Sequence, residues 1–201
     1  MTKLVFLPGA SGKIDFWNPL ISFLPKDDEK QIISYPGFGG IAEDSNLKSF
    51  LDLQEYVTSQ INSECIIIAQ SMGGIFAVQK AIEAEHLIKG LVLIATSGGI
   101  DLTPFKVKDW RMEYQEYYPT YPEWFVTANI NYDDDLEMIN LPVLLIWGDA
   151  DPISPVAIGK YLNRKLKNSA LKVISNGKHN LAEEYAKEVS VYINQFLENI
   201  S

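Results

Sequence analysis

The sequence has few of the residues on which metal sites and disulfides depend. Its 201 residues include one cysteine, Cys65, and two histidines, His86 and His179. A single cysteine cannot form an internal disulfide, which fits a reducing compartment. The sequence contains no metal-ligand cluster and no dinucleotide fingerprint, and the segment GASGK after the first apolar run lacks the spacing of a P-loop. We therefore expect no metal and no cofactor.

Positive charge is also scarce, and long apolar runs are missing. Lys and Arg number 17 against 26 Asp and Glu, so the formal net charge is -9. This balance argues against nucleic acid or an anionic lipid surface as a partner. No apolar run is long enough to span a bilayer, and the first run is too short for a signal peptide. We expect a soluble, cytoplasmic protein with a small-molecule substrate.

Short apolar runs alternate with helical patterns along most of the chain. This alternation predicts an α/β fold, in which a mostly parallel sheet carries helices on both faces. The predicted strands are 4–7, 31–35, 65–69, 90–95, 143–147 and 171–175. The predicted helices are 16–24, 47–61, 72–84, 155–166 and 181–197, and we expect Ser154 to cap the fourth of them, with Pro155 at its first position. Residues 1–201 are interpreted as a single domain.

One long stretch, residues 97–141, breaks the alternation because it contains no strand-like run. A connection of this length inside a compact domain is usually functional, and the stretch is rich in Trp, Tyr and Phe. We predict a small, mostly helical cap, although a packing subdomain with an aromatic core is the alternative and is compatible with a cap. The residues expected to bind substrate are Trp110, Tyr114, Trp124 and Phe125.

A single serine lies between a predicted buried strand and a predicted helix, in the segment AQSMGG. A tight turn there would lift the side chain of Ser71 off the sheet edge, and its crowding requires small neighbours such as Ala69 and Gly73. The N–H of Met72, at the start of the next helix, would face the same space and donate to an oxyanion. The alternative is that Ser71 only caps the helix.

The segment resembles the nucleophile elbow of the α/β-hydrolase family, G-x-S-x-G, with Ala69 in place of the first glycine. The resemblance extends over 4–197 and implies a Ser-His-Asp triad in the chain order serine, acid, histidine. By that order the catalytic histidine is His179, in ISNGKHNLAEE after the last predicted strand, while His86 is expected in an exposed loop. The sheet begins with the strand before the expected oxyanion turn, so the first two strands of the family are expected to be absent.

The remaining site residues also follow from the resemblance. The segment LLIWGDADPISP is similar to the family's acid loop, and its register makes Asp151 the triad acid, with Asp149 as the alternative. The segment FLPGASG is similar to the family's oxyanion segment, with Pro8 in place of the usual histidine. This similarity implies that the backbone N–H of Ala10 is the second oxyanion donor, beside Met72.

The resemblance implies a serine hydrolase that cleaves a carboxylic ester through an acyl-enzyme. Relatives with the same layout cleave thioesters or methyl esters on an acyl carrier protein, act as cofactor-free lyases or perhydrolases, or only bind ligands, and these alternatives remain open. Three cations near the start of the cap, Lys106, Lys108 and Arg111, are either a solvated helix face or a landing site for an acidic acyl carrier.

Overall fold

The computed structural model describes residues 1–200 and confirms the predicted α/β fold. Within these residues, six parallel strands form one sheet in the order β2-β1-β3-β4-β5-β6. The strands are β1 (Lys3–Leu7), β2 (Glu29–Ile32), β3 (Cys65–Gln70), β4 (Ile88–Ile94), β5 (Val143–Gly148) and β6 (Ser169–Ile174). Because all six run in the same direction, the loops that follow them meet at one edge of the sheet.

Helices cover both faces of the sheet and provide most of the connections between strands. They are α1 (Asn18–Ile21), α2 (Phe50–Ser59), α3 (Gly73–Ala84), α4 (Arg111–Tyr117), α5 (Trp124–Thr127), α6 (Val156–Lys165), α7 (Leu181–Glu184) and α8 (Ala186–Ile200). Short 3-10 turns occur at Asp15–Trp17, Glu85–Leu87 and Leu136–Met138. No helix within residues 1–200 is both long enough and apolar enough to cross a membrane.

The alternation of side chains along each strand divides the apolar residues into two cores. Val5 and Leu7 pack with α2, α3 and α6 on one face, whereas Leu4 and Phe6 pack with α1, α7 and α8 on the other. The interior strands β3 and β5 are buried along their whole length, as expected for strands covered on both sides. Both cores hold the sheet rigid directly beneath its carboxyl edge.

Several local predictions were wrong. The second strand, predicted at 31–35, is Glu29–Ile32, and the first helix, predicted at 16–24, is α-helical only at Asn18–Ile21. The last predicted helix, 181–197, is interrupted at Tyr185, whose backbone leaves the helical region and whose hydroxyl donates to the carbonyl of Asn176. Ser154 does not cap α6, which instead begins after Pro155 without a side-chain cap. The Ser154 hydroxyl instead accepts a hydrogen bond from the indole of Trp147 at 3.1 Å, since a buried indole N–H needs a partner.

The cap, residues 97–141, joins β4 to β5 and is helical only in α4, α5 and one 3-10 turn. It packs on the rest of the protein through aromatic rings. Phe125 lies against Phe38 and Phe50, with ring centroids 6.0 Å from each, and Tyr121 contacts Phe38 at 5.2 Å. The cap therefore extends the core that contains α2 and α3 over the carboxyl edge of the sheet.

Candidate active site

Ser71 occupies the turn between β3 and α3 in a left-handed conformation, with φ at +52°. Few side chains adopt this region, so the turn must be enforced by its surroundings. The N–H of Ser71 donates to the carbonyl of Ile94 on the neighbouring strand at 3.0 Å. A Cβ added at Gly73 would overlap the carbonyl of Leu7, so only glycine lets α3 begin this close to β1. These contacts hold the side chain of Ser71 up from the sheet edge.

Ser71, His179 and Asp151 form a hydrogen-bonded line. The Nε2 atom of His179 lies 3.0 Å from the Oγ atom of Ser71, and its Nδ1 atom lies 2.8 Å from the Oδ2 atom of Asp151. A carboxylate accepts and does not donate, so Nδ1 carries the proton and Nε2 is free to accept from the serine hydroxyl. The arrangement therefore has a nucleophile, a base and a group that orients the base.

The carboxylate of Asp151 is shielded from solvent, and every neighbour within bonding distance donates to it. Its Oδ1 atom accepts from the backbone N–H groups of Ile153 and Ser154, at 2.8 and 3.0 Å. Asp149, the alternative acid, lies exposed and accepts from the N–H of Asn176 on the opposite side of the loop. The geometry thus brings Asp151, and not Asp149, to the imidazole.

Two buried polar residues that the sequence analysis did not single out support the line. Thr96 donates its hydroxyl to the carbonyl of Ser71 at 2.5 Å, and its own carbonyl accepts a long bond of 3.4 Å from Ser154. Gln70 donates its side-chain amide to the carbonyl of His179 at 2.7 Å. Gln70 could have been found from the sequence only because it directly precedes Ser71. Nothing in the sequence indicates that Thr96 contacts the turn at Ser71.

Two backbone N–H groups beside Ser71 are free. Those of Ala10 and Met72 donate to no acceptor within residues 1–200, and both residues line the same cleft as Ser71. Met72 precedes the first residue of α3, so its N–H belongs to the positive end of that helix. Unpaired donors next to a nucleophile are suited to stabilise negative charge on a bound oxygen.

The cleft above Ser71 has a volume of about 650 Å³ and runs between the sheet edge and the cap. Trp110, Tyr114 and Phe125 line it, as do His179 and the loop after β1. Trp124 does not line it and instead packs against Phe38 and Phe50, with ring centroids at 6.0 and 6.5 Å. The structure thus gives Trp124 a packing position where we had expected contact with substrate.

The three cations at the start of the cap are mostly paired. Lys108 bonds Glu113 at 2.6 Å, and Arg111 lies 3.5 Å from Asp109 while donating to the carbonyl of Val126. Lys106 is exposed and has no ionic partner within residues 1–200.

The remaining histidine, His86, lies exposed in the 3-10 turn that precedes β4, away from the cleft. Among residues 1–200, no three side chains of His, Cys, Asp or Glu are grouped so as to hold a metal ion.

Comparison with known proteins places the chain in a family. The model of the alpha/beta hydrolase family matches residues 4–190. The chain is 25% identical to the poly(3-hydroxyalkanoate) depolymerase of Ectopseudomonas oleovorans, over 98% of this chain and 85% of that protein. It is 35% identical to a pimeloyl-[acyl-carrier protein] methyl ester esterase of Neisseria meningitidis serogroup A, but over only 32% of this chain and 21% of the esterase. In two further curated relatives the matching segment spans 23% and 27% of their length.

Solved structures show the same fold over the whole chain. A putative lipase of Acinetobacter baumannii superposes with a TM-score of 0.83, at 19% identity, over 99% of this chain and 84% of that chain. At this level of identity the likeness concerns the fold alone.

Proposed function

The chain belongs to the alpha/beta hydrolase family, and from this premise we propose that it is a serine hydrolase that cleaves a carboxylic ester. One observation carries the proposal. A hydrogen-bonded line runs from Ser71 through His179 to Asp151, with distances of 3.0 and 2.8 Å. Ser71 and His179 line a cleft together with Ala10 and Met72, whose backbone N–H groups have no acceptor within residues 1–200. A nucleophile, a base and oxyanion donors in one cleft are what acyl transfer requires.

In the proposed reaction, the Oγ atom of Ser71 attacks the ester carbonyl while Nε2 of His179 takes its proton. The carbonyl oxygen becomes an oxyanion, which the N–H groups of Ala10 and Met72 stabilise. Asp151 holds the imidazole in place and stabilises the imidazolium. Collapse of the intermediate breaks the C–O bond, and His179 gives its proton to the departing alcohol.

The acyl group then remains on Ser71 as an ester. His179, now neutral, removes a proton from water, which attacks the acyl carbon. The second tetrahedral intermediate collapses, the acid is released, and the serine hydroxyl recovers its proton. The aromatic side of the cleft, formed by Trp110, Tyr114 and Phe125, is suited to an apolar or aromatic acyl group.

The first test is the intact mass of the protein after incubation with a fluorophosphonate. We expect one adduct on the wild type and none on Ser71→Ala, because only an activated serine reacts readily with this reagent. A panel of p-nitrophenyl esters then compares acyl chains, with turnover lost in Ser71→Ala. Absence of an adduct on the folded wild type would contradict the proposal and favour a protein that only binds ligands.

A second candidate is an esterase that acts on acyl groups carried by an acyl carrier protein. Its support is the similarity to the pimeloyl-[acyl-carrier protein] methyl ester esterase, which covers 32% of this chain. Lys108 and Arg111 form ion pairs that partly neutralise the positive charge offered to an acidic carrier, and Lys106 has no ionic partner within residues 1–200. Adding a carrier-bound methyl ester and the matching free methyl ester to the panel decides between the two candidates.

A further inference from the structure

The loop that follows β1 is held by an unusual number of hydrogen bonds to its carbonyl groups. We call residues 8–11 the β1 loop. All four of its carbonyl oxygens accept a hydrogen bond, although the loop has no regular secondary structure. The bonds run from Tyr35 Oη to Pro8 O (2.9 Å), from Gly12 N to Gly9 O (2.9 Å), from Tyr114 Oη to Ala10 O (2.7 Å) and from Tyr121 Oη to Ser11 O (3.0 Å).

These bonds fix the direction of the free N–H of Ala10. In a trans peptide the N–H and the preceding C=O point in opposite directions, and every peptide bond described here is trans. The carbonyl of Gly9 is turned toward the N–H of Gly12, so the N–H of Ala10 must point the other way. The bond from Tyr114 holds the next peptide plane, so that both planes flanking the Cα atom of Ala10 are held.

Two of the three tyrosine donors come from the cap. Tyr114 belongs to α4 and Tyr121 to the following turn, 104 and 110 residues from the carbonyls they bond. The hydroxyl of Tyr121 also accepts from the N–H of Gly39, at 2.8 Å, so it joins the cap to two loops of the sheet edge at once. Burial raises the pKa of Tyr114 far above its ordinary value, which keeps its hydroxyl a donor at any working pH.

We propose that Tyr114 and Tyr121 are positioning residues, which hold the β1 loop so that the N–H of Ala10 stays directed at the reacting oxygen. This inference rests on the proposed function, because it assigns Ala10 to the oxyanion site. It makes docking of the cap a condition for a complete oxyanion site. A cap that lifted away would break both bonds and release the β1 loop, even if Ser71 and His179 stayed in place.

The test compares Tyr114→Phe, Tyr121→Phe and the double variant, each of which removes a hydroxyl and keeps the ring. Tyr56→Phe is the matched control, because Tyr56 lies on α2 and its hydroxyl has no partner within residues 1–200. Two quantities are measured. One is hydrogen exchange of the Gly12 amide, whose bond to Gly9 closes the turn. The other is kcat and KM for p-nitrophenyl acetate.

We expect faster exchange at Gly12 in the double variant, with the amides of the central strands unchanged. We also expect kcat to fall about 10- to 100-fold, less than the roughly 10²- to 10³-fold cost of removing an oxyanion donor outright. KM should change by less than about twofold, since an interaction made only in the transition state affects kcat.

The proposal is overturned if the double variant matches Tyr56→Phe in kcat or in the exchange of Gly12. Ser71→Ala, run in the same assay, separates this failure from failure of the proposed function. Turnover that survives in Ser71→Ala would refute the hydrolase mechanism. In that case the exchange at Gly12 alone decides whether the two tyrosines hold the β1 loop.

Discussion

Replacing Asp151 by asparagine is the most informative single change in this site. The carboxylate accepts three hydrogen bonds, one from His179 on Oδ2 and two from the N–H groups of Ile153 and Ser154 on Oδ1. Asparagine has nearly the same shape but carries one acceptor and one donor group. If its oxygen keeps the two backbone bonds, its NH₂ group faces Nδ1 of His179. The reverse orientation points the NH₂ group at two backbone donors and is less favourable.

The favoured orientation changes the tautomer of the histidine. Facing an NH₂ group, Nδ1 must accept, so the proton moves to Nε2, which then cannot take the proton of Ser71. Loss of the correct tautomer in a serine triad lowers kcat by about 10⁴-fold, or roughly 5 kcal/mol of transition-state stabilisation. KM should change little, since Asp151 itself does not line the cleft.

The cost in stability should be far smaller than the cost in rate. Two backbone bonds lose their charged acceptor, which costs about 1–3 kcal/mol. For a chain of this size each kcal/mol lowers Tm by roughly 2–4 °C. The protein therefore stays folded at assay temperature if its own Tm is that of an ordinary mesophilic domain, and thermal unfolding monitored by circular dichroism checks this.

The assay measures kcat on p-nitrophenyl acetate together with the rate of fluorophosphonate labelling of Ser71. Asp149→Asn is the matched control, two residues away in the same loop. It should retain the activity of the wild type because the carboxylate of Asp149 accepts from the N–H of Asn176 and bonds no other group within residues 1–200. A larger loss in Asp149→Asn than in Asp151→Asn would refute the assignment. An Asp151→Asn variant that keeps a tenth or more of the wild-type kcat would also refute the assignment, because this kcat is about 10³-fold above the expected value.

Two further predictions concern the aromatic residues of the cap and the buried thiol of Cys65 at the start of β3. Trp124→Ala should cost about 3 kcal/mol of stability, or roughly 6–12 °C in Tm, and leave KM close to wild type, whereas Trp110→Ala should raise KM for aryl esters. Thermal unfolding and an ester panel on the same preparations separate the two effects, and a raised KM in Trp124→Ala would contradict the packing position. Burial raises the pKa of Cys65 from 9.0 to about 11, so the folded state keeps a proton that the unfolded state loses. The free energy of unfolding should therefore fall as pH rises from about 9 to 11, by more in the wild type than in Cys65→Ala, as measured by urea titration.

The interior strands of the sheet could be predicted well because each corresponds to a local pattern of apolar residues in the sequence. Each interior strand is a short apolar run, and the observed bounds of the interior strands β3 and β5 lie within two residues of those predicted. Two of the wrong predictions involved side-chain contacts across loops, with partners seven and nine residues away in sequence. The hydroxyl of Ser154 bonds Trp147, and Tyr185 bonds Asn176 across a turn, and no periodicity records either contact.

In the candidate site, too, some residues follow from local sequence patterns and others do not. Ser71 and His179 follow strands of a parallel sheet, so their meeting at one edge follows from the alternation of strands and helices. The choice between Asp149 and Asp151 does not, because both lie in one short loop and only the bonds of that loop turn Asp151 inward. The lining of the cleft was hardest to predict, since aromatic residues of the cap are equally suited to a core and to a pocket, as Trp124 illustrates.

The proposed oxyanion donors show that a motif can supply a functional group while the residues that orient this group lie elsewhere in the chain. An N–H group is available at almost any residue, so Pro8 in place of the family's usual histidine leaves the donor of Ala10 intact. The donor needs a fixed direction. We propose that this direction comes from the bond between Gly12 and Gly9, supported by the tyrosine hydroxyls that bond the other carbonyls of the β1 loop. If these bonds position Ala10 as proposed, a substitution in the cap changes the rate of the chemical step as well as the choice of substrate. Exchange of cap segments between relatives should then alter kcat and KM together, unless the tyrosine hydroxyls are retained.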